Sequence, residues 1–342
     1  MVTMKKIISL ILFLLMLMSI CSVASSAVSY NEGIKALQDQ FLDGGTDDMD
    51  YVYYNPVQKG FDLKKYPLVI WLHGNSSGDY PRHQLENSSI AMWSSEEYQK
   101  RFEGTEGAYI FIPRCSTRSL SLAWEGKQNV LKNTIDQFIA ENVNHIDTDR
   151  IYIGGYSMGG KMALIMATRY TGFFAATFLM SPVYAPSNSE LDALAETPTW
   201  LMVCKNDNYL SLNQFTVKSN WTYLAGVAKY PEKNRMSTFD GIYYPDGSYC
   251  GDDEVHNTWE PACYDLFMND GSQYKDMEIV DGLGKAVELT YPNGLISWLS
   301  QQTLSDYRTE AEEGGFLQRV IDMIINFFST VIKVMGTIGG LI

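Results

Sequence analysis

Five residues, Gly155-Tyr156-Ser157-Met158-Gly159, constrain this chain more than any other feature, because they stand directly between a strand pattern, Arg150-Ile151-Tyr152-Ile153, and a helical pattern over residues 158–168. A strand that turns into a helix within so few residues leaves no room for side chains at the flanking positions, and both are glycine. Such a turn presents the serine hydroxyl at the carboxyl edge of a sheet, beside the positive end of a helix. The segment therefore predicts both an architecture and a reactive group.

The rest of the chain repeats the same alternation. Apolar, β-rich runs at 51–54, 68–72, 109–112, 174–180 and 200–203 alternate with helical spacing over 129–142, 158–168 and 293–301. Continuous apolar strands separated by helices predict an α/β fold, a mostly parallel central sheet with helices on both faces. The stretch 228–250, rich in Gly, Pro, Asp and Tyr, reads as a surface insertion.

The two ends differ from the middle. Lys5 and Lys6 precede an apolar run from Ile7 to Ile20 and small residues up to Ala27, the layout of a secretory leader over residues 1–27. That run is shorter than the roughly 20 residues a spanning helix needs, so the expected location is secreted, or the extracellular face of the cell. A catalytic domain is expected over 28–302, followed by a charged linker over 303–315. Residues 316–342 then carry polar side chains every three or four positions, from Arg319 through Lys333 to Thr337, leaving a broad apolar face. Such an amphipathic C-terminal helix could bury that face in a membrane interface, on a partner helix or on the catalytic domain; peripheral membrane association ranks first.

The net charge of −14 excludes nucleic acid as a partner and favours a neutral substrate. Four cysteines lie behind the leader, at 115, 204, 250 and 263, and none stands at metal-ligand spacing to another cysteine or to a histidine. No metal site is expected. In an oxidising compartment Cys250 and Cys263 could pair, although four separate thiols fit the sequence equally.

A serine hydroxyl needs a base, and the base needs a group that fixes its tautomer. The chain has four histidines. His145 ends a helix, His83 lies in a polar loop, and His73 follows a buried strand in Leu72-His73-Gly74-Asn75. His256 remains, in a loop beyond the central strands, and it is the expected base. Asp207, just past the strand 200–203, is the expected acid; Asp252, Asp253 and Glu254 are rivals by proximity, but their crowding reads as a solvated loop. The backbone N–H groups of Met158 and Asn75 are the expected oxyanion donors. Tyr156, Trp124 and Trp259 are expected to contact substrate as aromatic walls of a cleft, with core or rim packing as the other reading.

Four stretches carry a resemblance: residues 66–74, 147–160, 198–207 and 256–259. Through them the chain resembles α/β hydrolases of the esterase and predicted-peptidase group, which includes polyhydroxybutyrate-depolymerase-like and feruloyl-esterase-like enzymes, over about residues 51–301. Where that group often has His-Gly before the acid, this chain has Val203-Cys204, a departure at Asp207. Its Pro-x-Cys segment corresponds to Pro113-Arg114-Cys115, expected at the rim of the site. The resemblance implies hydrolysis of an ester or amide through an acyl-enzyme, without metal or organic cofactor, and does not name the substrate; the expected reaction is hydrolysis of a carboxylic ester, small or polymer-linked. Ester decorations of plant polysaccharides and short-chain polyesters are the expected substrates. A serine peptidase with the same three residues, and a non-catalytic surface-binding protein on the same scaffold, are the alternatives.

Overall fold

A computed structural model describes residues 33–57, 64–75, 77–86, 88–115, 124–207 and 217–307. The expected leader and the expected helix over 316–342 lie outside the described residues.

The strands are β1 (Leu42–Gly45), β2 (Asp50–Tyr54), β3 (Tyr66–Leu72), β4 (Tyr109–Pro113), β5 (Ile146–Tyr156), β6 (Ala176–Met180), β7 (Thr199–Cys204), β8 (Arg235–Phe239) and β9 (Met277–Asp281). They form one sheet in the order β1-β2-β4-β3-β5-β6-β7-β8-β9. From β4 to β8 every pairing is parallel, and the antiparallel pairs lie at the two edges, β1 on β2, β2 on β4 and β9 on β8.

All seven residues of β3 are buried because both faces of the sheet are covered. Side chains alternate between two cores, Val69 and Trp71 in one, Leu68, Ile70 and Leu72 in the other. The flanking helices are α1 (His83–Glu86), α2 (Glu96–Gln99), α3 (Gln128–Glu141), α4 (Met158–Arg169), α5 (Asn188–Leu194), α6 (Val217–Val227), α7 (Trp259–Cys263) and α8 (Leu295–Ser300). Helices α3 and α4 cover the second core, while α7 and α8 cover the first.

Two sequence expectations are corrected, and of the two readings of the cysteines the separate thiols are the one observed. The stretch 228–250 is not wholly a surface insertion, since it contains β8, a parallel neighbour of β7. Only Ser237 and Phe239 of that strand are buried, so its polar near-edge sequence carries no continuous apolar run. The linker does not begin at 303: Leu304 and Tyr307 are buried, the Leu304 N–H donates to the Asp149 carbonyl, and the Tyr307 hydroxyl donates to Gln302 at 2.7 Å. Cys250 and Cys263 are not joined; Cys115, Cys204, Cys250 and Cys263 are all free thiols.

Candidate active site

The turn after β5 is as tight as the sequence demands. Ser157 has φ 54° and ψ −117°, a left-handed conformation that costs a residue with a side chain about 1–3 kcal/mol. The elbow lies directly on the end of β3. A Cβ on Gly155 would stand 2.6 Å from the Leu72 carbonyl oxygen, and one on Gly159 would collide with the carbonyls of Leu72 and His73. Helix α4 begins at the next residue, so the serine sits at its positive end.

The loop leaving β3 crosses over this elbow. A Cβ on Gly74 would lie 3.4 Å from Ser157 Cβ and 2.7 Å from the Tyr156 ring, and the exposed Asn75 follows. His73, fully buried, fixes the loop from within. Its Nε2 accepts the Cys115 N–H at 2.9 Å, which leaves Nδ1 to carry the ring proton and donate to the Gly74 carbonyl at 2.7 Å. Burial holds this imidazole neutral, with its pKa lowered to about 4. The Trp124 indole donates to the His73 carbonyl at 2.8 Å, and Arg114 donates to the Gly78 carbonyl at 3.1 Å while pairing with Asp50. Arg114 thus braces the loop.

The other half of the site rises from β7 and from the loop before α7. Asp207 follows β7 by a short turn, its N–H donating to the Cys204 carbonyl at 3.3 Å. Its carboxylate is fully buried and lies 2.7 Å from His256 Nδ1. A carboxylate at Nδ1 makes that nitrogen the donor and leaves the lone pair on Nε2, the form a base requires.

Two contacts hold the histidine loop to the sheet. The Thr258 hydroxyl, fully buried, lies 2.9 Å from the Ser181 hydroxyl and donates to the Met202 carbonyl at 3.4 Å. The Ser157 N–H donates to the Met180 carbonyl at 2.9 Å. Serine turn and histidine loop are therefore fastened to consecutive residues at the end of β6. The Trp259 ring then stacks on Tyr156 at 4.3 Å and meets His256 edge-on at 5.9 Å, joining the two halves.

The other candidates fall elsewhere. Asp252 accepts from the Tyr249 hydroxyl at 2.7 Å, Glu254 accepts from Asn257, and the Asp253 side chain lies outside the described residues. His83 stacks on Tyr80, and His145 gives its carbonyl to the Tyr66 N–H. Of the three aromatic residues, Trp124 and Tyr156 are 1% and 2% exposed, beneath the surface rather than on a cleft wall, because their polar atoms are engaged by His73 and Ser77. Trp259 is half-buried. Among the described residues no group of three or more His, Cys, Asp or Glu comes together as metal ligands. Thr258 and Ser181 were not foreseen, since their partnership spans 77 residues and has no local signal.

The sheet order, with its parallel centre and the strand-to-helix elbow, defines the α/β-hydrolase fold. The chain belongs to the family described as Putative esterase, whose model matches residues 46–224. A solved thermostable esterase is similar at 21% identity and a TM-score of 0.53, covering 67% of this chain. This chain spans 61% of that esterase's length. An acetyl xylan esterase from Aspergillus awamori matches at 15% identity and a TM-score of 0.40, over 55% of this chain and 79% of that one. A ferulic acid esterase matches at 16% identity and a TM-score of 0.38, over 50% and 80% of the two chains. No curated protein matches this sequence.

Proposed function

We propose that this protein is a secreted serine hydrolase that cleaves carboxylic esters through an acyl-enzyme. Ser157 attacks the ester carbonyl, His256 takes the serine proton and returns it to the leaving alcohol, and Asp207 holds the imidazole in its Nδ1–H tautomer. The N–H groups of Met158 and Asn75 stabilise the negative oxygen of the tetrahedral intermediate, each such donor being worth about 3 kcal/mol. Water then repeats the sequence on the acyl-enzyme and frees the acid.

One observation carries this reading: the buried Asp207 carboxylate lies 2.7 Å from His256 Nδ1, at the same sheet edge as a serine in a left-handed elbow. The Gly74 backbone lying over Ser157 supports the placement of the second oxyanion donor. Secretion rests on the leader pattern of residues 1–27, and ester decorations of plant polysaccharides or short-chain polyesters are the proposed substrates. The helical pattern over 316–342 is proposed as a peripheral membrane attachment.

The test is turnover of acetyl, feruloyl and polyester substrates by the wild type beside Ser157→Ala and His256→Ala. Each substitution is expected to lower kcat by about 10⁴-fold or more with the fold intact. Ordinary activity in Ser157→Ala would overturn the mechanism.

A further inference from the structure

The geometry points to a glycan-binding platform at Tyr249, on the hairpin that follows β8, which holds a neutral polysaccharide chain beside the esterase centre. The inference rests on the esterase reading for its substrate class, while its test needs no turnover.

The chain leaves the carboxyl end of β8 at Phe239 and folds back on itself, Tyr243 bridging to Tyr249 across a turn at Asp246-Gly247. Tyr249 remains 45% exposed although it is a large aromatic side chain. Its ring lies against Gly241, where even a Cβ would come within 2.9 Å, and against the Tyr243 ring, at 5.3 Å between centroids. The hydroxyls are tied down as well. Tyr249 donates to Asp252 at 2.7 Å and Tyr243 to Asp276 at 3.2 Å. An exposed ring held by backbone beneath it and a hydrogen bond at its tip has little rotamer freedom left to lose on binding, so it is pre-organised for a flat apolar surface. A pyranose ring offers such a surface on its C–H face and hydroxyls at its rim, where Asp252 and Asp276 can accept.

Position and charge narrow the ligand further. Asp252 is four residues before His256, and the Lys205 N–H donates to the Phe239 carbonyl two residues from Asp207, so hairpin and acid share one end of the sheet. Three strand spacings separate β5, which carries the serine, from β8, a span of roughly 14 Å. That is room for several sugar residues between the platform and the reacting ester, and too far for a small ester to reach both. The hairpin's surroundings carry Asp240, Asp252, Asp276 and Glu278 against Lys205 and Lys275, and Lys205 is already held between Asp240 at 2.9 Å and Glu278 at 3.3 Å. With a net charge of −14 over the chain, a polyanion is repelled and a neutral glycan is not.

The experiment is native affinity electrophoresis of the full chain carrying Ser157→Ala, in gels containing arabinoxylan or polygalacturonate. Retardation by arabinoxylan and none by polygalacturonate is expected. Adding Tyr249→Ala should weaken the retardation at least fivefold, and Tyr249→Trp should restore it. In the active enzyme, Tyr249→Ala should raise KM for an arabinoxylan-linked ester at least fivefold and leave kcat/KM for a small soluble ester within twofold. Equal retardation of the Tyr249→Ala protein, no retardation by arabinoxylan, or Tyr249-dependent binding to polyhydroxybutyrate granules in its place would overturn the proposal.

Discussion

The two halves of the site are built by different means. On the serine side nearly everything is local: strand, turn and helix fall within residues 146–169, and the glycines at 155 and 159 are required by the main chain of the adjoining strand end. On the acid–base side nearly everything is remote. Asp207 and His256 are 49 residues apart, and Thr258 reaches back 77 residues to Ser181. A locally built element is placed by its own backbone, whereas a remotely built one is only as well placed as its few long-range contacts. The acid–base half should therefore be the more fragile under substitutions that preserve the fold.

Short of removing Ser157 or His256 outright, the largest expected effect comes from breaking the Asp207–His256 contact. Asp207→Asn keeps shape and burial but offers an amide where Nδ1–H needs an acceptor, so the imidazole adopts the wrong tautomer. A loss of about 10³–10⁴-fold in kcat is expected, with KM nearly unchanged, measured by steady-state kinetics on a small ester. A loss under tenfold would move the orienting role away from Asp207.

A smaller effect is expected from Thr258→Val, which keeps volume and removes both hydroxyl contacts beneath the histidine loop. Positioning errors well under 1 Å are costly, and a fall of about 10-fold in kcat is expected, together with roughly 1–2 kcal/mol of stability for the buried Ser181 hydroxyl left without that partner. If urea titration shows the stability loss and kcat does not change, the histidine loop is held by other contacts.

How much of this was legible beforehand follows the same division. The elbow could be read because its chemistry is written in consecutive residues, and β3 to β7 because buried parallel strands are continuous apolar runs. Chain order could place Asp207 at a strand end and His256 in a loop beyond the central strands, but not their 2.7 Å contact, since nothing near either residue encodes the other. Strand β8 was hidden by its polar sequence. Strand β9 alternates buried Met277, Ile279 and Asp281 with the less buried Glu278 and Val280, a period-two signal short enough to pass for a loop. Trp124 and Tyr156 read as cleft walls because sequence shows an aromatic side chain but not what covers it, and the covering residues, His73 and Trp259, come from distant segments.

The effect smallest in rate sharpens the serine side and is seen in stability instead. His73 is held neutral in the fold, its pKa lowered from 6.5 to about 4, because a charged ring would be desolvated and Nε2 is needed as acceptor for the Cys115 N–H. Below pH 6.5 the unfolded chain binds a proton that the folded one refuses, so stability is full above that pH and falls as pH drops toward about 4. The shift corresponds to about 3 kcal/mol across that window. Urea unfolding at pH 7.5, 6 and 5 should show this slope in the wild type and a shallower one in His73→Gln. Equal slopes would show that His73 does not carry the effect.

On the proposed mechanism, Ser157 is made reactive by a histidine held from the far side of the site. The most direct measurement is covalent labelling with a fluorophosphonate, followed by intact-mass and peptide analysis of the wild type, Ser157→Ala and His256→Ala. One adduct per chain is expected on the Ser157 peptide, absent in Ser157→Ala and formed at least a hundredfold more slowly in His256→Ala. An adduct on another serine, or labelling of Ser157 at an unchanged rate without His256, would contradict that mechanism.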